Sequence, residues 1–148
     1  MPGEPLWIWL TGMHYSNIPQ LETTMTFAYW CVLIAALLPY FTVAVAKSNK
    51  HFDNNHPRAW LGRLEGLPAR AHAAHLNGFE AFPFFAAAVI VAHQLHAGQT
   101  LLNGLSGLYI VARIAYVACY LADRATLRTL VWTVAFGLNV AIFLLGAF

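Results

Sequence analysis

Between residues 70 and 85 the chain reads RAHAAHLNGFEAFPFF, an Arg, two His, an Asn and a Glu inside a stretch otherwise apolar enough to cross a membrane. On a helix turning about 100° per residue, Arg70, Asn77 and Glu80 fall within roughly 80° of one another, and His72 and His75 point to the far side. Ionisable groups at membrane depth are rare, face protein or water, and mark a functional site. A second set, Tyr109, Arg113, Tyr116 and Tyr120, recurs at helical spacing, so that three phenols and a guanidinium form one stripe. Tyrosines alone would be ordinary helix contacts. Arg113 is different, because an unpaired Arg in hydrocarbon costs several kcal/mol. Counted from the basic ends of their helices at ~1.5 Å per residue, Glu80 lies roughly 16 Å deep and Arg113 roughly 14 Å deep. This predicts a Glu80–Arg113 ion pair, with Asn77 one turn nearer the basic end.

Such a pair fixes helix register as a contact within the membrane. It can also floor a polar cavity open to the cytoplasm, roofed by Arg70, Tyr116, Tyr120 and the turn carrying Arg124 and Arg128. A cationic, phenolic cavity suits a small anionic, water-soluble ligand that meets something dissolved in the bilayer. Arg128 begins the last apolar run, where its charge adds to a positive helix N-terminus; a thiol held there ionises more readily. The same position also fits a plain positive-inside anchor. His72 and His75 form an H-x-x-H spacing, but two ligands are too few and Glu80 lies around the helix, so no metal site is expected. These histidines are assigned to the outer face, towards headgroups or a neighbouring subunit. Cys31 and Cys119 fall in apolar runs and are expected to be free thiols.

The elements that must position these residues follow from composition. Of 148 residues, 59% are hydrophobic and 9% charged, against about 25% charged in soluble domains; this is an integral membrane protein. A net charge of +2, scattered along the chain, excludes a nucleic-acid partner. Four spans are predicted, about 25–46, 69–93, 101–122 and 127–147, giving an all-α antiparallel four-helix bundle in a single domain over 1–148. Pro39 should kink the first span without ending it. No signal peptide is expected, since the first long apolar run starts near residue 25 with no basic region before it. Leu6–Leu10, with Trp7 and Trp9, suits the headgroup layer. The loop 47–68 holds Trp60, Leu61 and Leu64 as one face of a short surface helix, and Asp123 stands where it can cap the fourth span. Lys47, Lys50, Arg58, Arg63, Arg70, Arg124 and Arg128 all fall at one end of the spans. The positive-inside rule then puts both termini outside and the basic loops in the cytoplasm, as in a bacterial inner membrane.

The segments HLNGFEAFPFF, ARIAYVACY and DRATLRT, in that order, resemble the MAPEG family, the membrane-associated proteins in eicosanoid and glutathione metabolism. The resemblance covers about residues 25–148. It implies a homotrimer binding glutathione between subunits and meeting a lipophilic substrate from the membrane lipids. Carried onto this sequence, it implies that Asn77, Glu80, Arg113, Tyr116 and Tyr120 contact glutathione, and that Arg128 stabilises the thiolate with Tyr120 or Thr129 as donors. Relatives of the leukotriene-C and prostaglandin-E synthase type carry an arginine one turn before the Asn. Here that position is Ala73, and Arg70 is the substitute clamp for a carboxylate. The function implied is a glutathione-dependent transferase or peroxidase, with a non-catalytic lipid-binding scaffold of the same fold as the alternative. A small transporter using the buried Arg and Glu has little support from four largely unbroken spans.

Overall fold

A computed structural model of the protein describes residues 25–48 and 52–147. The Leu6–Leu10 patch and Lys50 lie outside the described residues. Among the described residues all regular structure is helical: α1 (Phe27–Ala46), α2 (Pro57–Leu61), α3 (Gly66–Gln94), α4 (Gln99–Leu121) and α5 (Ala125–Leu144), followed by a 3-10 turn at Leu145–Ala147. The four long helices are each apolar and long enough to cross a membrane. α1 packs mainly on α3 and α4 mainly on α5, while α1–α4 and α3–α5 contacts close the square and α3–α4 forms its diagonal. This is a four-helix bundle, and its diagonal carries the polar residues.

Small side chains let the helices approach. Ala28, Cys31, Ala35, Ala74, Ala88, Ala92, Ala112 and Ala135 are all buried, as expected where close backbone contact replaces the hydrophobic drive available in water. Cys31 and Cys119 are free thiols. The outer surface is apolar, with Phe27, Leu33, Phe41, Val111, Leu130 and Val134 among many exposed. At 29 residues α3 is roughly 43 Å long, longer than the ~30 Å hydrocarbon layer, so its basic first turns extend beyond it. There, Leu61 of α2 packs with Ala46 and Ala71, flanked by Trp60, Leu64 and Leu121. In the preceding loop the Asp53 carboxylate accepts the Asn55 and His56 N–H groups at 2.8 and 3.3 Å. Those bonds, Asn55 foremost, hold its carboxyl below the usual range, so their small contribution is present above the unfolded pKa and fades as pH falls through the folded one.

Two connections differ from expectation. Asp123 does not cap α5, whose N-cap residue is Arg124 without a side-chain capping bond. Asp123 instead has φ 59° and closes α4: Arg124 N donates to Cys119 O at 2.9 Å and Asp123 N to Tyr120 O at 3.2 Å. The same left-handed ending recurs at His96, φ 56°, where Ala97 N donates to Ala92 O and His96 N to His93 O, both at 3.0 Å. Glycine usually serves there; a side chain at either place accepts modest strain to make a sharp turn.

The histidines also depart from the outer-face assignment. Ala71, Ala74 and Gly78 make the stripe of α3 that meets α1, and His75 belongs to that side. Its Nδ1 donates to Pro39 O at 2.8 Å, and His72 stacks beside it with ring centroids 6.0 Å apart. Both prolines, Pro39 and Pro83, are accommodated inside continuous helices. Gly78 faces Pro39 so closely that an added Cβ would lie 2.7 Å from Pro39 Cγ. Gly78→Ala gains about 1 kcal/mol of helix propensity but overpacks this contact at a cost of about 1–3 kcal/mol. The variant should unfold at a lower temperature than the unaltered protein, followed by circular dichroism in detergent. An unchanged or higher midpoint contradicts the packing.

Candidate functional site

Arg113, on the inner face of α4, is only 4% exposed. Its Nη2 donates to Asn77 Oδ1 at 3.0 Å and to Asn77 O at 3.4 Å. Asn77 Nδ2 in turn donates to Glu80 Oε2 at 3.2 Å. The expected Glu80–Arg113 ion pair is therefore corrected: an amide stands between the two charges. The reason lies on α4. The Arg113 guanidinium rests over the Tyr116 ring, 4.6 Å from its centroid, and Tyr116 is one turn nearer the basic end. Drawn that way, its N–H edge meets Asn77, which is one turn nearer the same end than Glu80. Glu80 remains exposed on the flank of the bundle.

The polar line continues towards the basic end. Tyr116 meets Tyr120 edge to face at 5.6 Å, and the Arg128 guanidinium lies 4.3 Å from the centre of the Tyr120 ring. Glu80, Asn77, Arg113, Tyr116, Tyr120 and Arg128 thus form one contiguous chain across α3, α4 and α5, built of hydrogen bonds, cation–π contacts and an edge-to-face pair. Two residues expected in the site fall outside it. Arg70 is occupied by its own chain, with Nε donating to Leu121 O at 3.3 Å and Nη1 3.5 Å from the Asp123 carboxylate. It ties the start of α3 to the α4–α5 turn. Thr129 Oγ1 donates to Ala125 O at 3.2 Å, so its proton serves its own helix. Ala73, half-buried on α3, offers no polar group.

Other residues were not anticipated. Asn139, Trp132, Phe136 and Phe84 share a cavity of about 190 Å³ with Asn77, Glu80, Tyr109 and Arg113. Asn139 is a polar residue within the run FGLNVAIFL, the same signal that marks Arg113 and Glu80. Tyr109, expected as a plain helix contact, does stack on Phe85 at 3.9 Å, yet it also lines this cavity. Among the described residues no group of three or more His, Cys, Asp or Glu could hold a metal ion.

The model of the MAPEG family matches residues 27–148. The chain belongs to the MAPEG family. Searches of curated proteins and of solved structures gave no significant match. Membership supports a glutathione-related function of the membrane transferase or isomerase kind. With four apolar helices it also makes this MAPEG chain an integral membrane protein.

If Asn77 is what satisfies Arg113, the two acidic-side changes differ in cost. Asn77→Leu strips a buried cation of its main acceptor and should destabilise by about 3 kcal/mol or more. Glu80→Gln leaves an oxygen that still accepts from Asn77, and should cost under about 1 kcal/mol. Unfolding by denaturing detergent in mixed micelles measures both; the reverse order contradicts the geometry.

Proposed function

We propose that the chain from Glu80 to Arg128 binds glutathione and activates its thiol. The observation that carries the reading is the contiguity of Arg113, Tyr116, Tyr120 and Arg128. Arg113 and Tyr120 are about 10 Å apart along α4, close enough for one small peptide to reach both. In this reading Asn77, Glu80, Arg113 and Tyr116 hold the peptide's charged and amide groups deep in the bundle. The thiol then lies at the basic end beside Arg128. The charge of Arg128 and the N-terminus of α5 both stabilise an anion, and the Tyr120 ring holds the guanidinium towards α4. Tyr120 is the phenol donor to the sulfur. Thr129, committed to Ala125 O, supports the helix rather than the reaction.

Once ionised, with its proton released to solvent, the thiolate can take either of two balanced routes. Attack on an electrophilic carbon forms a C–S bond, and the electron pair leaves with a leaving group or is protonated after addition. Attack on the distal oxygen of a lipid hydroperoxide breaks its O–O bond, giving a sulfenic acid and the lipid alkoxide, which takes a proton back from solvent to become the alcohol; a second glutathione thiol then displaces water from the sulfenic acid and forms the disulfide. Both use the same activated nucleophile.

We also assign a homotrimer, which would give the exposed Glu80 flank a neighbour, and a bacterial inner membrane with the basic end cytoplasmic. The second assignment is supported by the gathering of Lys47, Arg58, Arg63, Arg70, Arg124 and Arg128 at one end of the bundle. One observation favours the second reading, a lipid-binding scaffold without thiol chemistry: Arg70 is engaged by Asp123, and Ala73 leaves no other clamp on that face.

The ultraviolet thiolate band of bound glutathione separates the two. A bound thiol stabilised as its anion titrates below the ordinary value of about 8.5. The band should therefore be present at neutral pH and disappear as pH falls, and Arg128→Ala should move its loss to higher pH. A protein that shows no band at neutral pH, and gains thermal stability from fatty acid but none from glutathione, refutes the thiolate reading in favour of the scaffold.

A further inference from the structure

The basic end of the bundle carries a surface that the proposed thiol chemistry leaves unused. α1 ends its apolar run at Ala46, and Lys47 follows directly. Counted back along α3 from His93, the ~30 Å hydrocarbon layer takes about 20 residues at ~1.5 Å each, which reaches Ala73. Ala71 stands just beyond that edge, and it is there, with Ala46, that Leu61 of α2 packs. The loop between α1 and α3 thus lies in the headgroup layer.

Its side chains suit that layer. The Lys47 ammonium lies 4.8 Å from the centre of the Phe52 ring, and Phe52 meets Trp60 edge to face at 5.1 Å. One cation and two aromatic rings therefore form a connected patch at the α1 corner, a combination favoured at membrane interfaces. Arg58, two residues before Trp60, is exposed and has no ion pair among the described residues. Arg63 is partly committed, its Nε donating to Ala59 O at 3.3 Å. One acid of the loop is spent locally, since the Asp53 carboxylate accepts the Asn55 and His56 N–H groups and meets the His56 ring at 3.2 Å. Glu65, the other, stands exposed before α3. From residue 47 to residue 68 the sequence holds four basic and two acidic residues. The connection at the far end of the bundle, 95–98, holds no Lys, Arg, Asp or Glu.

We propose that the loop between α1 and α3 seats an anionic phospholipid of the surrounding leaflet. Lys47 and Arg58 attract its phosphate, and Phe52 and Trp60 pack against its glycerol region and upper chains. A zwitterionic lipid offers the same phosphate, but its own ammonium offsets the attraction. Depth favours a lipid over a soluble acidic partner, because the patch stands in the headgroup layer itself. The α1 corner is diagonal to α5 in the bundle, so the seat is separate from the Glu80 flank and independent of the glutathione reading.

Native mass spectrometry of the whole protein, released from neutral detergent micelles, counts bound lipid directly. Titrated with phosphatidylglycerol or with phosphatidylcholine of the same chains, the unaltered protein should bind the first phosphatidylglycerol about tenfold more tightly. Each Lys or Arg near a membrane surface favours an anionic lipid by about fivefold. Lys47→Gln combined with Arg58→Gln should bring the two lipids within about twofold of each other. Arg124→Gln, at the same end but on the α4–α5 turn, should leave the tenfold preference in place. The proposal is overturned if the unaltered protein binds both lipids alike, or if the folded double variant keeps the preference. It is equally overturned if Arg124→Gln abolishes the preference as fully, which would make it a diffuse property of the basic end. Displacement of the lipid by an equal concentration of glycerol phosphate or polyglutamate would assign the surface to a soluble anion or an acidic protein instead. The comparison of the two lipids on the unaltered protein needs no variant, so it decides even if the double variant fails to fold.

Discussion

A guanidinium inside the hydrocarbon layer must be satisfied by something fixed, and Arg113 sets the terms for the rest of the bundle. A single carboxylate would neutralise it but would also use up its reach. An amide answers it differently. Asn77 offers its side-chain oxygen and its backbone carbonyl to Arg113, while its own N–H bonds pass to Glu80. The cation remains charged and oriented, and it still borders a cavity. The negative charge of Glu80 stays on the exposed flank, available to a neighbour or a ligand.

This arrangement requires α3 and α4 to meet across the diagonal of the bundle. Closeness there depends on the small-residue stripe of α3 against α1, with Gly78 seated on Pro39, and on Arg70 fastening the start of α3 to the α4–α5 turn. The same turn, made sharp by Asp123 in the left-handed region, brings Arg128 back over Tyr120. Structural tethers at one end thus set the course of the polar chain. The cavity lined by Asn139 shares Asn77, Glu80 and Arg113 with that chain.

Much of this was legible in the sequence. Four spans, the short loop helix and the stripe on α4 follow from hydropathy and helical spacing, because lipid penalises every unpaired backbone group and leaves helices as the natural solution. Family membership was legible from three motifs in order. What spacing could not supply was the choice between partners one turn apart. Depth estimates accurate to a turn cannot separate Asn77 from Glu80, and the deciding contact, Tyr116 under Arg113, is a property of side-chain direction. His75 shows the same limit, since its role follows from which face of α3 meets Pro39. Arg70 and Thr129 looked available because their partners, Asp123 and Ala125 O, arise from the turn and from the helix backbone. Asn139 could have been found: a lone amide in an apolar span carries the same signal as Arg113.

The central claim is that Asn77 and Arg113 act as one unit, and a double-mutant cycle on unfolding free energy tests it most directly. With Asn77→Ala, Arg113→Met and the double variant measured in the same mixed micelles, the two changes should be coupled by more than about 1 kcal/mol, above the ~0.6 kcal/mol average for hydrogen bonds between membrane helices. The double variant should be more stable than the sum of the single losses implies. Additivity within about 0.3–0.5 kcal/mol would contradict the account, because it would mean that Arg113 is satisfied elsewhere.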